Sequence, residues 1–234
     1  MFKIYEERPG SKIICIVFDT QYELTSSFLR LQEFYECPDE EFRGKFFTHE
    51  QYMDYYATTH KGKFSYFEDW GGFNITDVAF KQFCALFLHN MWKKELMVIN
   101  SINEFIAEKD IKGSFYIIAY HKEDKRENEF IEHECAHAFW YLNSEYKKEM
   151  QKLLERLQRV YPKALNSMKK KLMKMGYSET VMEDELQAYI STTNRVRLHK
   201  DFNMSKHIGF DELYFEISSF RSTFNLFWLP QSKQ

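Results

Sequence analysis

Residues Phe130–Leu142 read FIEHECAHAFWYL. On an α-helix, positions i and i+4 stand one above the other on a single face. His133 and His137 therefore direct two imidazoles at one point. Two such nitrogens can hold one Zn²⁺ at about 2.0–2.1 Å each. Glu134 follows His133 directly, about 100° further round the helix. From there it reaches a water activated by the ion without itself being a ligand, which is the place of a general base. With 8 His in the chain, about 0.03 chance occurrences of this spacing are expected. Phe130, Ile131, Ala138, Phe139 and Leu142 surround the motif with apolar side chains. The competing reading is a surface helix that carries two histidines by accident. It is the weaker one, because burying two His and a Glu without partners is costly.

A catalytic zinc needs a third protein ligand and one open position. A third His in H-E-x-x-H-x-x-G-x-x-H would require Gly at 140 and His at 143, where the chain has Trp140 and Asn143. No Asp stands at that downstream position either, so a Glu from a later helix remains. Val181–Ile190, VMEDELQAYI, carries Glu183, Asp184 and Glu185 together in an otherwise apolar stretch. Acids near a helix N-terminus are also favoured by its positive end, and that solvated role suits Asp184. Glu185 shares a face with Met182, Ala188 and Tyr189, so it should point inward, where a lone carboxylate needs a cation. Glu185 is thus the expected third ligand, with Glu183 as its competitor.

His133–His137 followed by Glu185-Leu186-Gln187-Ala188-Tyr189 resembles the gluzincin group of zinc metallopeptidases, several of whose families open an E-x-x-A-[D/N] segment with the third ligand. The resemblance spans His133 to Tyr189. It implies a zincin-like α+β fold with an active-site helix, a substrate-binding edge strand before it and a later glutamate helix. It implies His133, His137 and Glu185 as zinc ligands and Glu134 as the base. The family's final acid or amide, which supports a ligand histidine by a hydrogen bond, is Tyr189 here. Its hydroxyl is expected either to take over that bond or to polarise the substrate carbonyl, and Tyr189 is placed with Glu134 among the catalytic residues. Further donors for a developing oxyanion are His199, His207, Arg195 and Arg197, all downstream of Glu185. The implied activity is zinc-dependent hydrolysis of a peptide or protein substrate. A zinc hydrolase of another amide or ester, and an inactive zincin-like binding protein, are the alternatives.

Outward from the motif, Gly113–His121 (GSFYIIAYH) reads as a strand apolar on both faces, suited either to the sheet interior or to pairing with an extended peptide. Lys12–Asp19 (KIICIVFD) reads as a buried strand. Thr48-His49-Glu50-Gln51 is a capping-box pattern that opens a helix to about Tyr56. Ala79–Ile106 reads as two helices broken near Asn90. Breaks at Asn143-Ser144, Tyr161-Pro162 and Gly176-Tyr177-Ser178 give helices near 127–142, 145–160, 162–175 and 179–192. Segments Leu213–Phe220 and Phe224–Leu229 look strand-like and remain unplaced. Residues 1–110 are expected as an N-terminal mixed α/β lobe packed on the catalytic part. Residues 111–234 are expected as the catalytic region, the whole being one compact unit.

The 234 residues carry 32 Lys and Arg against 35 Asp and Glu, a net charge of −3. That balance offers no electrostatic ground for a nucleic-acid or anionic-membrane partner. No stretch approaches 18 apolar residues, so no membrane span is expected. MFKIYEERPGSK lacks the apolar run of a secretory signal. Four cysteines without a C-x-x-C pair do not make a disulfide scaffold. A reducing, cytoplasmic location is expected, and signal-independent export would leave the same marks. Lys163, Lys169, Lys170, Lys171 and Lys174 read as a solvated face opposite Leu165, Met168, Leu172 and Met175. Phe64–Phe73 reads as a core contact in preference to a cleft wall hinged at Gly71-Gly72. Cys135 has no evident base and is not read as a ligand or nucleophile.

Overall fold

The computed structural model describes residues 1–123, 127–175, 177, 179, 181–202 and 209–223. It is α+β. The chain divides into two compact units, Met1–Glu127 and Asn128–Gln234. The division expected at 110 would have cut the last strand away from its sheet.

In the first unit four strands, β1 (Phe2–Glu6), β2 (Ile13–Phe18), β3 (Gly72–Thr76) and β4 (Tyr116–His121), form one sheet in the order β1-β2-β4-β3. β2 and β4 run parallel, with Ile13 opposite Tyr116 and Phe18 opposite His121, while β1 and β3 pair antiparallel on the outer sides. All residues of β2 and β4 are buried. This explains their continuous apolar runs, since a strand covered on both faces has no polar alternation to show. β4 is interior, so its backbone groups are consumed by β2 and β3. The edge strand implied before the active-site helix is therefore not β4, and β4 has no free edge on which to pair a peptide.

Helix α1 (Gln21–Glu36) is capped by Thr20, whose side chain accepts from Glu23 N, and is buried from Leu24 to Phe34. Its Thr25 and Ser27 hydroxyls donate back to the carbonyls of Gln21 and Glu23 at 2.9 and 2.7 Å. The polar run Thr25-Ser26-Ser27 thereby sits inside without losing its partners. The expected box opens α2 (His49–Thr59), with Thr48 and Gln51 bonded reciprocally. After the short α3 (Tyr66–Asp69), α4 (Asp77–Phe87) and α5 (Lys93–Glu108) flank the break foreseen near Asn90. Leu24 and Phe28 of α1, Phe73, Phe80, Phe83 and Ile102 pack on Ile14, Ile16 and Ile117 of the sheet. Tyr66 and Phe73 lie in this core, so the aromatic segment is a packing element.

The second unit is helical among its described residues. α6 (Glu127–Leu142) carries the histidine motif. α7 (Ser144–Val160), α8 (Pro162–Lys174), α9 (Met182–Thr192), α10 (Arg195–Phe202) and α11 (Phe210–Thr223) follow. Its core gathers Trp140, Met150, Leu154, Leu157, Leu165, Met168, Leu172, Leu186 and Ile190 with Leu213 and Ile217. In α8 the apolar stripe faces inward as expected, except that Met175, just past the helix end, is exposed. Leu213–Phe220 is helical, not strand-like. Leu213, Ile217 and Arg221 recur every fourth residue and are the ones buried. Phe224–Leu229 lies outside the described residues. Among the described residues no helix is long and apolar enough to cross a membrane.

Candidate metal centre

Two helices of the second unit build the site. α6 presents His133 and His137 one turn apart, and α9 brings Glu185 opposite them. The far end of α9 is closed from α11, where buried Arg221 donates to the carbonyls of Ile190 (3.1 Å) and Thr193 (2.6 Å). Those carbonyls have no partner within their own helix end.

His133 Nε2 and His137 Nε2 are 3.3 Å apart, and each lies 3.6 Å from a Glu185 carboxylate oxygen. Tetrahedral coordination with bonds of about 2.0–2.1 Å sets ligand atoms about 3.4 Å apart. The two histidines face different oxygens of the one carboxylate, each near the edge length of a zinc polyhedron, and one ligand atom from each of the three residues lies within 4.8 Å of the others. Glu185 Oε2 is buried and has no hydrogen-bond donor among the described residues, a state that costs free energy unless a cation supplies the missing partner. His133, His137 and Glu185 are also the only such grouping of potential ligands among the described residues. The residues fit the ion.

Asp184 was expected on a solvated face. It instead accepts a hydrogen bond from His137 Nδ1 at 2.8 Å. The carboxylate is acceptor-only when ionised, so Nδ1 carries the proton and Nε2 faces the other ligands. Asp184 and Glu185, neighbours in the chain, thus straddle one imidazole. The hydrogen bond that the family pattern would draw from position 189 comes from position 184 here. Burial alone would lower the His137 pKa, but the Asp184 hydrogen bond and the charges of Asp184, Glu185 and Glu134 carry it up to about 10. The carboxylates around it therefore favour positive charge at His137.

Glu134 is buried beside the cluster, near enough for its charge to raise His137, Tyr177 and Tyr189. Tyr189 sets its ring edge against His133, 4.6 Å between centroids, and its hydroxyl 3.4 Å from that of Tyr177. Burial, together with the Glu185 and Glu134 charges, pushes the Tyr189 phenol up. It remains a donor at neutral pH.

No family model, curated protein or solved structure matches this chain.

The other sequence-derived candidates scatter. Glu183 is exposed and meets Gln151 at 3.4 Å. Arg195 pairs with Asp211, and Arg197 with Glu129 and Asp201. His199 lines a separate open pocket of about 560 Å³ with Arg195, Phe210 and Glu212. His207 lies outside the described residues. Cys135 is buried and takes no part in the ligand cluster. Sequence reasoning missed Tyr177 and the Asp184 role. The signal for Asp184 was the run of adjacent acids: the residue before a ligand, about 100° round the helix, can reach the far nitrogen of the imidazole that the ligand faces.

Proposed function

We propose that the chain is a zinc-dependent hydrolase that holds Zn²⁺ through His133, His137 and Glu185 and cleaves peptide bonds. The observation that carries this reading is the convergence of His133, His137 and Glu185, one ligand atom of each lying within 4.8 Å of the others. Three protein ligands leave a fourth position for water or substrate. Held by these three residues, the ion would supply Lewis acidity and would lower the pKa of a water to about 7. Glu134 removes the proton from the attacking water and delivers it to the leaving nitrogen. Tyr189, protonated, donates to the oxygen that gains charge as the carbonyl turns tetrahedral, and Tyr177 orients that hydroxyl. The choice of a peptide bond over another amide or ester rests on the resemblance to gluzincins.

Metal analysis of purified protein, paired with digestion of a peptide library with and without chelator, tests the proposal. About one zinc per chain and chelator-sensitive cleavage are expected. Glu134→Gln should keep the zinc and lose at least about a hundredfold in kcat/KM. Cleavage that survives this change removes Glu134 from the chemistry. Zinc with activity only toward non-peptide amides or esters moves the substrate class. Zinc content far below one per chain favours a binding protein.

A further inference from the structure

Gln187, two residues beyond Glu185 on α9, is fully buried. Its amide meets groups from three helices. Nε2 lies 2.8 Å from Asp184 Oδ1 and 3.2 Å from the Ala136 carbonyl of α6, while Oε1 accepts from the Tyr146 hydroxyl of α7 at 2.7 Å. The amide can sit only one way round. Asp184 and the carbonyl are acceptors, so turning the group over would set its oxygen against both of them. Tyr146 is itself fully buried, and its position is set at the start of α7, where its backbone N–H donates to the Asn143 cap.

Resting on the metal-centre reading, we propose that Gln187, held by Tyr146, is a positioning residue that aims Asp184 at His137 and so selects the imidazole nitrogen offered to the ion. Asp184 needs such a support, because its side chain is 37% exposed and in the first turn of α9. A carboxylate there has several rotamers within reach of water. The buried amide holds Oδ1 where the His137 Nδ1–H meets it, and the same oxygen accepts both donors. With Nδ1 kept protonated, Nε2 faces His133 and Glu185 with its lone pair. The bond to the Ala136 carbonyl ties this device to α6 one residue before His137, so the two ligand helices are held in register at the level of the ion. Partners that orient a ligand histidine typically change metal affinity by about 10–100-fold when removed.

The test compares wild type with Gln187→Leu, which keeps volume and loses the amide, and Tyr146→Phe, which loses one hydroxyl. Gln151→Leu is the control, since the Gln151 amide bonds to the exposed Glu183 and to none of the three ligands. Zinc affinity is read by competition with a chromogenic chelator. The His137 tautomer is read from long-range ¹⁵N–¹H imidazole spectra of the zinc-loaded protein, and melting temperature is recorded alongside. Expected are a fall in zinc affinity of about 10–100-fold for Gln187→Leu, a smaller fall for Tyr146→Phe, an altered His137 pattern in both, and no change in the control. A lower melting temperature with unchanged affinity and spectrum makes the amide a packing element and overturns the proposal. If Gln187→Leu does not fold, Tyr146→Phe decides by the same readings. Wild type that takes up no zinc overturns the metal-centre reading and this inference together. Equal zinc affinity in wild type and both variants overturns only the positioning role.

Discussion

Adjacent acids on α9 have three different fates. Glu183 is exposed beside Gln151, Asp184 bonds the Nδ1 of His137, and Glu185 turns one carboxylate oxygen to each of the two histidines. The chemistry of the three side chains is almost the same, and their direction from the helix axis decides between them. Glu185→Ala should therefore reduce zinc affinity by more than the about 10–100-fold typical of an orienting partner, and Glu183→Ala should leave it unchanged, as read by chelator competition. Zinc lost on changing Glu183 alone would reverse the assignment of the third ligand. Tyr189 illustrates the same point in the other direction. From sequence it was a candidate for the hydrogen bond to a ligand histidine; in the structure Asp184 makes such a bond to His137, and Tyr189 lies with its ring against His133.

At the scale of elements, legibility followed the strength of local signals. The Thr48–Gln51 box made α2 visible because both of its hydrogen bonds are between residues three apart in sequence. Thr48→Ala should cost the protein about 0.5–2 kcal/mol and Thr48→Ser much less, measured by urea unfolding. A cost within error for Thr48→Ala would mean that α2 is held by packing alone. α1 gave no such signal. Its burial on nearly every side from Leu24 to Phe34 removes the apolar stripe by which a helix is recognised. Leu213–Phe220 was misread for a related reason. Its aromatics suggested a strand, while the four-residue spacing of Leu213, Ile217 and Arg221 set the helix face.

On the scale of the molecule, the first unit closes around a buried charge cluster. Arg30 of α1 is 2% exposed, and its Nε is 2.8 Å from Glu95 Oε1 of α5. Glu95 also accepts from the Trp92 backbone at 2.8 Å. Arg30→Met leaves a buried carboxylate without its counter-ion and should destabilise the protein by about 3–5 kcal/mol, read by urea unfolding. Adding Glu95→Gln to that variant should recover part of the loss. His49, stacked on Trp92 at 3.3 Å between centroids, lies in the same cluster. Burial and the Arg30 charge pull its pKa down from 6.5 to about 3. The unfolded chain binds a proton that the fold refuses. The stability linked to His49 is therefore complete above pH 6.5 and is lost as pH falls from 6.5 toward 3. Urea midpoints should fall across that window, and His49→Phe should flatten the fall. A wild-type midpoint that is level from pH 6.5 to 4 would contradict this.

By itself the sequence determined the buried strands β2 and β4, the main helices from 127 to 192, and the spacing that puts His133, Glu134 and His137 on one turn. Each of these is a matter of periodicity or capping within a few residues, and such interactions are written locally. The tertiary structure decided that β4 lies inside the sheet, that the chain divides at 127 and that Gln187 links Asp184 to Tyr146. Those facts depend on which distant surfaces meet. The two neighbours of β4, and the Tyr146 and Ala136 groups that meet the buried Gln187 amide, come from residues tens of positions apart, and no local pattern records their approach.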